Sequence, residues 1–287
     1  MPKVLITGGS GSLGKALLAC PAAMPEGDIH VTWHKSRSEW PFDRSHQVDL
    51  GDFDAVDKLM ASLQPDLVIH TACGTTNLDR DIVKATRHVA ASCSEYEAAL
   101  VHISSDALFD GKESPYTEAG RPTPLYPYAI AKADAEDLIK KYCPLAAIVR
   151  TSLLISLAEP NPSSAWIVKA MQEEREIDLF VDEIRCPVGV DDLARGLWRL
   201  ARLLLDHQME GAGMWNMVGP EAISRYALGL LLAQYYGLSA KYIRPVRSID
   251  SGELRPRDVR LLNNRAEQQL DFFPRTASEL LCGRDFV

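Results

Sequence analysis

Short apolar runs alternate with longer amphipathic stretches over the first 150 residues of this 287-residue chain. Several runs are continuously apolar, as in parallel strands that are covered on both faces. The predicted strands are Val4–Thr7, Ile29–Trp33, Leu67–Thr71, Leu100–Ile103 and Ala146–Arg150, and the predicted helices are Leu13–Cys20, Phe53–Leu63, Ile82–Ala98 and Tyr128–Lys141. Because right-handed crossovers place helices on both faces of such a sheet, the pattern predicts an α/β fold with a doubly wound parallel sheet.

A glycine-rich segment, Thr7–Gly14, follows the first predicted strand and opens the first predicted helix. Glycines at such a turn let the backbone approach a pyrophosphate, and the N–H groups of a helix N-terminus favour phosphate. In this context the segment predicts a Rossmann-type dinucleotide site, with an ordinary Gly/Ser turn as the structural alternative. The expected contacts are Gly8, Gly11, Ser12, Leu13 and Gly14.

The end of the second predicted strand bears on the choice of dinucleotide, since an NAD enzyme places an acid there for the ribose hydroxyls. This chain instead has His34, Lys35 and Arg37. Cations suit a 2′-phosphate, so NADP(H) is favoured over NAD(H), and a solvated basic loop is the alternative. Asp49, followed by Leu50, ends another short strand, and its carboxylate is expected to accept a hydrogen bond from the adenine amino group.

Tyr128 and Lys132 lie one turn apart on one face of a predicted helix, so the phenol and the ammonium can converge. The lysine charge lowers the tyrosine pKa, and Tyr128 can then protonate a carbonyl oxygen as hydride reaches the carbon. Ser105 follows a predicted strand at the edge where such sheets bind ligands, and its hydroxyl is placed to hold that oxygen. The three residues therefore predict carbonyl reduction.

Together these elements resemble the extended short-chain dehydrogenase/reductase family and, within it, the dTDP-4-dehydrorhamnose reductase-like branch. The similar segments extend nearly to the end of the chain: Thr7–Gly14, His70–Cys73, Ser104–Gly111, Pro115–Glu118, Pro124–Tyr128, Lys132, Glu136, Arg150–Ser152, Pro187–Ala194 and Leu254–Arg257. The resemblance implies a catalytic triad of Ser105, Tyr128 and Lys132, with Lys132 also bonding the nicotinamide ribose. It further implies that Tyr128 and the segment Thr71, Ala72 and Cys73 contact the cofactor.

The chain departs from that branch at three places. Ser105 replaces a threonine and keeps the hydroxyl, Arg185 stands where the branch carries a small uncharged residue, and Asp258–Arg260 replaces a serine-containing segment. The last two changes fall in the presumed substrate lobe, so the sugar nucleotide stays open. The cations expected to meet a pyrophosphate, each with ion pairing or a surface position as its alternative, are Arg150, Arg185, Arg255 and Arg257.

After Arg150 the alternation breaks, and the loop 160–162 carries two prolines. We predict a dinucleotide-binding domain over residues 1–150 and a smaller, discontinuous C-terminal substrate lobe over residues 151–287, with some segments returning to the main sheet. The predicted elements of the lobe are helices at Ser164–Glu174, Asp191–Leu205 and Ser224–Tyr236 and a returning strand at Met214–Val218. Trp166 and Trp215 are expected to pack in the core rather than to stack on a ligand.

Composition excludes several classes of protein. The formal net charge of -8 argues against nucleic-acid binding, and no apolar run is long enough for a membrane helix. The six cysteines form no Cys-x-x-Cys pair, which predicts free thiols, and His30 and His34 have no further ligand nearby, so no metal site is expected. A strand starts almost at the N-terminus, so we expect no signal peptide and a cytoplasmic protein.

These observations favour an NADPH-dependent reductase of a keto sugar, in particular a nucleotide-linked 4-keto-6-deoxy sugar. The alternatives are a nucleotide-sugar epimerase or dehydratase with bound NAD, and a non-catalytic NADP-binding regulatory subunit like that of methionine adenosyltransferase, which the same branch includes. The missing acid after the second strand counts against the first alternative, and the intact triad counts against the second. The expected partner is a small molecule, and a homodimer is compatible with the sequence.

Overall fold

The computed structural model describes residues 1–20, 27–36, 40–252 and 255–283, so Arg37 lies outside the described residues. The strands are β1 (Lys3–Thr7), β2 (Asp28–Trp33), β3 (Ser45–Gln47), β4 (Leu67–His70), β5 (Ala99–Ser105), β6 (Ala147–Thr151), β7 (Leu154–Ile155), β8 (Ile177–Phe180), β9 (Ile184–Arg185), β10 (Val188–Gly189), β11 (Gly213–Asn216), β12 (Ile223–Ser224) and β13 (Ile243–Val246). The α-helices are α1 (Ser12–Leu18), α2 (Phe53–Leu63), α3 (Ala85–Glu95), α4 (Pro127–Tyr142), α5 (Pro162–Gln172), α6 (Val190–Asp206), α7 (Gln208–Gly211), α8 (Arg225–Tyr235), α9 (Asn264–Leu270) and α10 (Ala277–Cys282).

Seven strands form one sheet in the order β11-β6-β5-β4-β1-β2-β3. The strand β1 pairs in parallel with β2 on one side and with β4 on the other, so Ile6 lies opposite both Val31 and Ile69. The chain therefore builds outward from β1 in one direction and then returns to build in the other. Such a reversal leaves a crevice at the carboxyl ends of the strands, where open α/β sheets bind ligands. This topology confirms the predicted Rossmann-type, doubly wound α/β fold.

Local sequence explains where several helices begin and end. The carboxylate of Asp52 caps α2 by accepting from two backbone N–H groups, and the helix ends where Gln64 adopts a left-handed conformation. The side chain of Ser224 caps α8, and Gly237, at φ 62°, follows its end. The helix predicted over Ile82–Ala98 starts earlier, as a π-helix at Asp79–Lys84 that continues into α3.

The chain divides into two compact units that interleave in sequence. The first contains Met1–Ser105, Pro127–Arg150 and Ala194–Trp215, and the second contains Asp106–Tyr126, Thr151–Leu193 and Asn216–Val287. The segment Asp106–Tyr126 thus belongs to the second unit although it precedes the boundary predicted at residue 150. The predicted returning strand corresponds to β11, at one edge of the main sheet. The assignment of separate functions to the two parts stays a prediction.

Each unit has its own hydrophobic core. In the first, strand residues Leu5, Val68, Leu100 and Ile148 pack with Val56, Met60, Val89 and Cys93 of the helices. In the second, α5, α8, α10 and the short strands bury Ile155, Ile167, Met171, Leu179, Leu228, Leu232 and Leu280. Each such side chain contributes about 1.5–3 kcal/mol to folding.

No helix in the described part of the chain is both long and apolar enough to cross a membrane. All six cysteines are free thiols, as predicted.

Candidate functional site

The glycine segment in the first unit is packed so closely that side chains have no room at two positions. Gly8 has φ 73°, and a Cβ there would lie 2.9 Å from the Cα of Ala72. A Cβ on Gly14 would clash with the carbonyl oxygen of Gly8. Gly11 is the N-cap of α1 and contributes no side chain to that end of the helix. The resulting turn, whose predicted contacts also include Ser12 and Leu13 at the start of α1, fits the requirements of a pyrophosphate cradle.

Residues that follow β4 hold this turn in place. The hydroxyl of Thr71 donates to the carbonyl oxygen of Thr7 at 2.6 Å, and the backbone N–H of Ala72 donates to the hydroxyl of Thr7 at 3.2 Å. The structure therefore places Thr71 and Ala72 directly beside the glycine turn, and Cys73 follows as an exposed residue. Sequence reasoning named these three from family resemblance alone, and the fold brings two of them against the turn.

The carboxyl ends of β2 and β3 carry the residues expected to select the dinucleotide. His34 and Lys35 are exposed after β2. Asp49 does not present an unpaired carboxylate for adenine, because its Oδ2 accepts from the guanidinium of Arg80 and lies 3.7 Å from Nε2 of His34. Leu50 packs against the hydrophobic core of the first unit. Sequence reasoning missed Arg80, since it lies 31 residues from Asp49 and in a different element.

The three predicted catalytic residues lie on two neighbouring elements of the first unit. Ser105 ends β5, and Tyr128 and Lys132 lie one turn apart near the start of α4. The ammonium of Lys132 is buried and donates to the carbonyl oxygen of Ile103 at 2.9 Å. This bond ties α4 to the strand that ends in Ser105, so the lysine is held beside that strand rather than in solvent.

Two histidines lie near Lys132 in the interior of the sheet. Burial and then the charge of Lys132 lower the pKa of His70 to about 3, and the same two causes lower the pKa of His102 well below its ordinary value. Both imidazoles are therefore neutral at physiological pH. The hydroxyl of Thr7 lies 2.7 Å from Nδ1 of His70, so this histidine contacts the last residue of β1. The two imidazoles therefore add no positive charge beside Lys132.

A buried ion pair lies between α4 and β6. Arg150 donates from Nε to Oε1 of Glu136 at 2.9 Å and from Nη2 to Oε2 at 2.8 Å, and Ser104 donates to the same Oε1 at 2.7 Å. The Glu136 side chain is 0% exposed and that of Arg150 is 2% exposed. Arg150 was expected to bind substrate pyrophosphate, but its guanidinium is occupied by a carboxylate in the interior. Arg150 is therefore an ion-pairing residue of the interior.

Arg185, in the second unit, is also engaged by buried acids. Its Nη1 donates to Oδ1 of Asp106 at 2.7 Å, and its Nη2 lies 3.3 Å from Oε1 of Glu183. Ser152 donates to the other oxygen of Asp106 at 2.5 Å. Burial raises the pKa of Asp106, although Arg185 acts in the opposite direction. The expected pyrophosphate contact through Arg185 would have to compete with both acids, so this residue is better described as an ion-pairing residue of the lobe.

A cavity of about 380 Å³ in the second unit combines aromatic rings with guanidinium groups. The guanidinium of Arg225 lies 5.9 Å from the ring centre of Trp166, and that of Arg255 lies 5.7 Å from the ring centre of Phe180. Nη1 of Arg225 is buried and has no hydrogen-bond partner among the residues described. The carboxylates that also line the cavity belong to Asp178, Glu183 and Asp250. The volume and mixed lining are those of a small-molecule pocket.

The two tryptophans that were expected in the core differ. Trp215 is fully buried, and its Nε1 donates to the carbonyl oxygen of Gly211 at 2.8 Å. Trp166 is 43% exposed and lines the cavity, so the prediction that it packs in the core was wrong.

Arg257 is exposed, as a ligand-binding cation requires. Within the described residues no cluster of three or more metal-ligating side chains forms.

Comparisons with known proteins agree with this fold. The family described as RmlD substrate binding domain matches residues 2–281. The methionine adenosyltransferase 2 subunit beta of Rattus norvegicus is 29% identical over 276 residues, covering 90% of this chain and 80% of the relative. A dTDP-4-dehydrorhamnose reductase of Aggregatibacter actinomycetemcomitans is 24% identical over 243 residues, covering 81% of this chain and 78% of the relative.

A solved structure gives the same picture of the fold. The dTDP-4-dehydrorhamnose reductase of Bacillus anthracis str. Ames, crystallised in complex with NADP, superimposes with a TM-score of 0.79 at 22% identity and covers 98% of this chain and 97% of that one. Because the family match spans nearly the whole sequence, the resemblance found in the motifs is confirmed. The chain belongs to the RmlD substrate binding domain family.

Proposed function

We propose that this chain is an NADPH-dependent reductase of a keto sugar, in particular a nucleotide-linked 4-keto-6-deoxy sugar. The observation that carries the proposal is the placement of Lys132, which is buried and bonded to the strand that ends in Ser105 while its helix presents Tyr128 one turn earlier. The family match and the reductase among the relatives support this reaction class.

In this proposal Tyr128 is the general acid. Its hydroxyl donates a proton to the carbonyl oxygen, and the ammonium of Lys132 stabilises the phenolate that remains. The hydroxyl of Ser105 donates a hydrogen bond to the same oxygen and so stabilises the charge that develops on it. NADPH, when bound, would supply the hydride.

The cofactor would be held by the glycine turn and by the basic end of β2. The turn is tightly packed, since a Cβ on Gly14 would strike the backbone of Gly8, and we assign the close approach of the pyrophosphate to Gly11 at the N-cap of α1. The exposed His34 and Lys35 are cations or potential cations in the position that an NAD enzyme gives to an acid. The further residues proposed to contact the cofactor are Gly8, Gly11, Ser12, Leu13, Arg37, Asp49, Leu50, Thr71, Ala72, Cys73, Tyr128 and Lys132.

The substrate would use the cavity of the second unit for its nucleotide. A nucleoside diphosphate combines an aromatic base with two phosphates. The cavity offers the rings of Trp166 and Phe180 and the guanidinium groups of Arg225 and Arg255. Aromatic stacking and forked arginines match those two parts. We assign Arg257, which is also exposed, to the phosphates of the substrate.

The proposal predicts loss of turnover on removal of a single hydroxyl. Oxidation of NADPH is followed against a panel of nucleotide-linked 4-keto sugars and simple ketones. On the accepted substrate, Tyr128→Phe should lower kcat by about 10²–10⁴-fold with cofactor affinity retained, because only the proton donor is lost. Tyr142→Phe, the same change at the far end of α4, is the matched control and should leave kcat unchanged.

Two further variants separate the roles within the triad. Lys132→Ala should reduce turnover and also weaken NADPH binding, because one ammonium is assigned to both the phenol and the ribose. Ser105→Ala should reduce turnover with little change in NADPH affinity. Full activity of Tyr128→Phe on a confirmed substrate would show the assigned mechanism to be wrong.

A second candidate function is a non-catalytic subunit of a larger enzyme. The observation that favours it is the 29% identity to the beta subunit of methionine adenosyltransferase 2 over 90% of this chain. The same panel discriminates between the two functions. Tight NADPH binding without turnover of any ketone, together with a changed rate of a methionine adenosyltransferase catalytic subunit on mixing, would favour the subunit over the reductase.

A further inference from the structure

Three ionisable side chains meet at the carboxyl ends of β2 and β3. The guanidinium of Arg80 donates to Oδ2 of Asp49, and Nε2 of His34 lies 3.7 Å from the same oxygen. The carboxylate is 29% exposed and Arg80 is 42% exposed, so this group lies at the surface of the crevice rather than in the core. In a Rossmann-type fold this edge receives the adenosine half of a dinucleotide.

The backbone around Arg80 is arranged to keep its side chain across this edge. Arg80 lies on the π-helix Asp79–Lys84, and its backbone N–H donates to the side chain of Asn77 at 3.1 Å. Its Cγ and Nε pass over Gly51, where an added Cβ would lie 2.8 and 3.0 Å from them. Because Gly51 leaves that space open, the arginine stem can cross to Asp49.

The charge balance of the group depends on Arg80. An unpaired carboxylate this close to His34, the residue that follows β2, would repel a 2′-phosphate bound at the end of that strand. Paired with Arg80, Asp49 contributes no net charge, and the partly exposed guanidinium keeps donors that can reach a phosphate oxygen. The ammonium of Lys35, which is exposed after β2, then adds to the attraction.

We infer that Arg80 determines the choice of NADPH over NADH, by neutralising Asp49 and by donating to the adenosine 2′-phosphate. This inference rests on the proposed use of NADPH. From the sequence alone, the choice of dinucleotide was assigned entirely to the basic segment after β2. This inference adds a residue that lies outside that segment.

The test measures dissociation constants of NADPH and NADH by calorimetry. In Arg80→Met the affinity for NADPH should fall by about tenfold to a hundredfold, with the affinity for NADH changed by no more than about threefold. Adding Asp49→Asn to Arg80→Met should recover a large part of the lost NADPH affinity, because the unscreened carboxylate is then also removed. Gly51→Ala changes no charge, and should weaken NADPH binding in the same direction by displacing the arginine stem.

Lys84→Met is the matched control, since Lys84 is a cation on the same π-helix and pairs with Asp79 at 2.9 Å. It should leave both affinities unchanged, and thermal unfolding of each ligand-free variant checks that the fold is retained. An unchanged ratio of the two affinities in Arg80→Met, or no recovery in the double variant, would overturn the inference while leaving the reductase proposal intact. Preference of the unaltered chain for NADH would overturn both.

Discussion

Two of the arginines that the sequence offers for phosphate binding are bound to carboxylates in the structure. Arg150 forms a bidentate pair with Glu136, and Arg185 contacts Asp106 and Glu183. A guanidinium in the interior must be paired, because an isolated charge there loses its hydration. Each of these arginines therefore neutralises buried carboxylates of its own unit.

The Arg150–Glu136 pair predicts a large cost for single substitutions. Arg150→Met removes the buried bidentate partner of Glu136, leaves only the ammonium of Lys140 at 3.9 Å, and should lower the free energy of unfolding by about 3–5 kcal/mol. The double variant Arg150→Met with Glu136→Leu should recover much of this loss, because no uncompensated charge remains. Urea unfolding measures both. Arg202→Met, which breaks an exposed pair with Asp206, is the control and should cost less than about 1 kcal/mol. Equal costs for the Arg150 and Arg202 variants would contradict this account.

At the scale of elements, the glycines of the β1–α1 turn have separable roles. Gly14 faces the backbone of Gly8, whereas the nearest contact of a Cβ on Gly11 would be 3.3 Å away. Gly14 therefore serves the packing of the turn itself. The backbone of Gly11, which is extended at φ -77° and ψ 164°, accepts other residues. Its glycine is better explained by close approach of a ligand.

This difference predicts that alanine at Gly14 lowers stability, whereas alanine at Gly11 lowers cofactor affinity. Gly14→Ala should lower the free energy of unfolding by about 1–3 kcal/mol, because backbone atoms must move to admit the methyl group. Gly11→Ala should leave the free energy of unfolding nearly unchanged and weaken NADPH binding. Urea unfolding and calorimetry on both variants provide the check. The assignment fails if Gly11→Ala is the less stable variant or binds NADPH as tightly as the unaltered chain.

At the scale of the whole molecule, buried histidines link stability to pH. The pKa of His70 is lowered by burial, and then by the charge of Lys132, from 6.5 to about 3. Between these values the unfolded chain binds a proton that the folded chain does not, so stability falls as the pH falls through this range. The pKa of His102 is shifted in the same direction, and both of its ring nitrogens lack hydrogen-bond partners in the described part of the chain.

We therefore expect the free energy of unfolding to decrease by about 1.4 kcal/mol per pH unit for His70 as the pH is lowered from 6 to 4, and the lowered pKa of His102 should steepen this decrease. His102→Leu removes one titrating group and no hydrogen bond to a described residue, so its stability should depend less steeply on pH. Urea unfolding at several pH values gives the slopes. His207→Gln, at an exposed position, is the control and should keep the original slope. A slope unchanged by His102→Leu would exclude His102 as a source of acid sensitivity.

Much of the fold could be read from local sequence. The continuous apolar runs, the capping residue Asp52 and the spacing of the glycines after β1 are patterns among adjacent residues, so the strands of the main sheet and helix α2 were predicted within a few residues. The spacing of Tyr128 and Lys132 likewise places them on one face of α4 without reference to the rest of the chain.

Contacts between distant segments could not be read in this way. The pairing of Arg80 with Asp49, the burial of Arg150 against Glu136 and the exposure of Trp166 depend on which segments the fold brings together. A guanidinium in the sequence looks the same whether it will meet a phosphate or a buried carboxylate, because the difference lies in its surroundings. The residue types and their spacing therefore predicted the chemistry available to this protein. Which charges face a cofactor, a substrate or the core was decided by tertiary packing, because desolvation determines which charges must be paired within the protein.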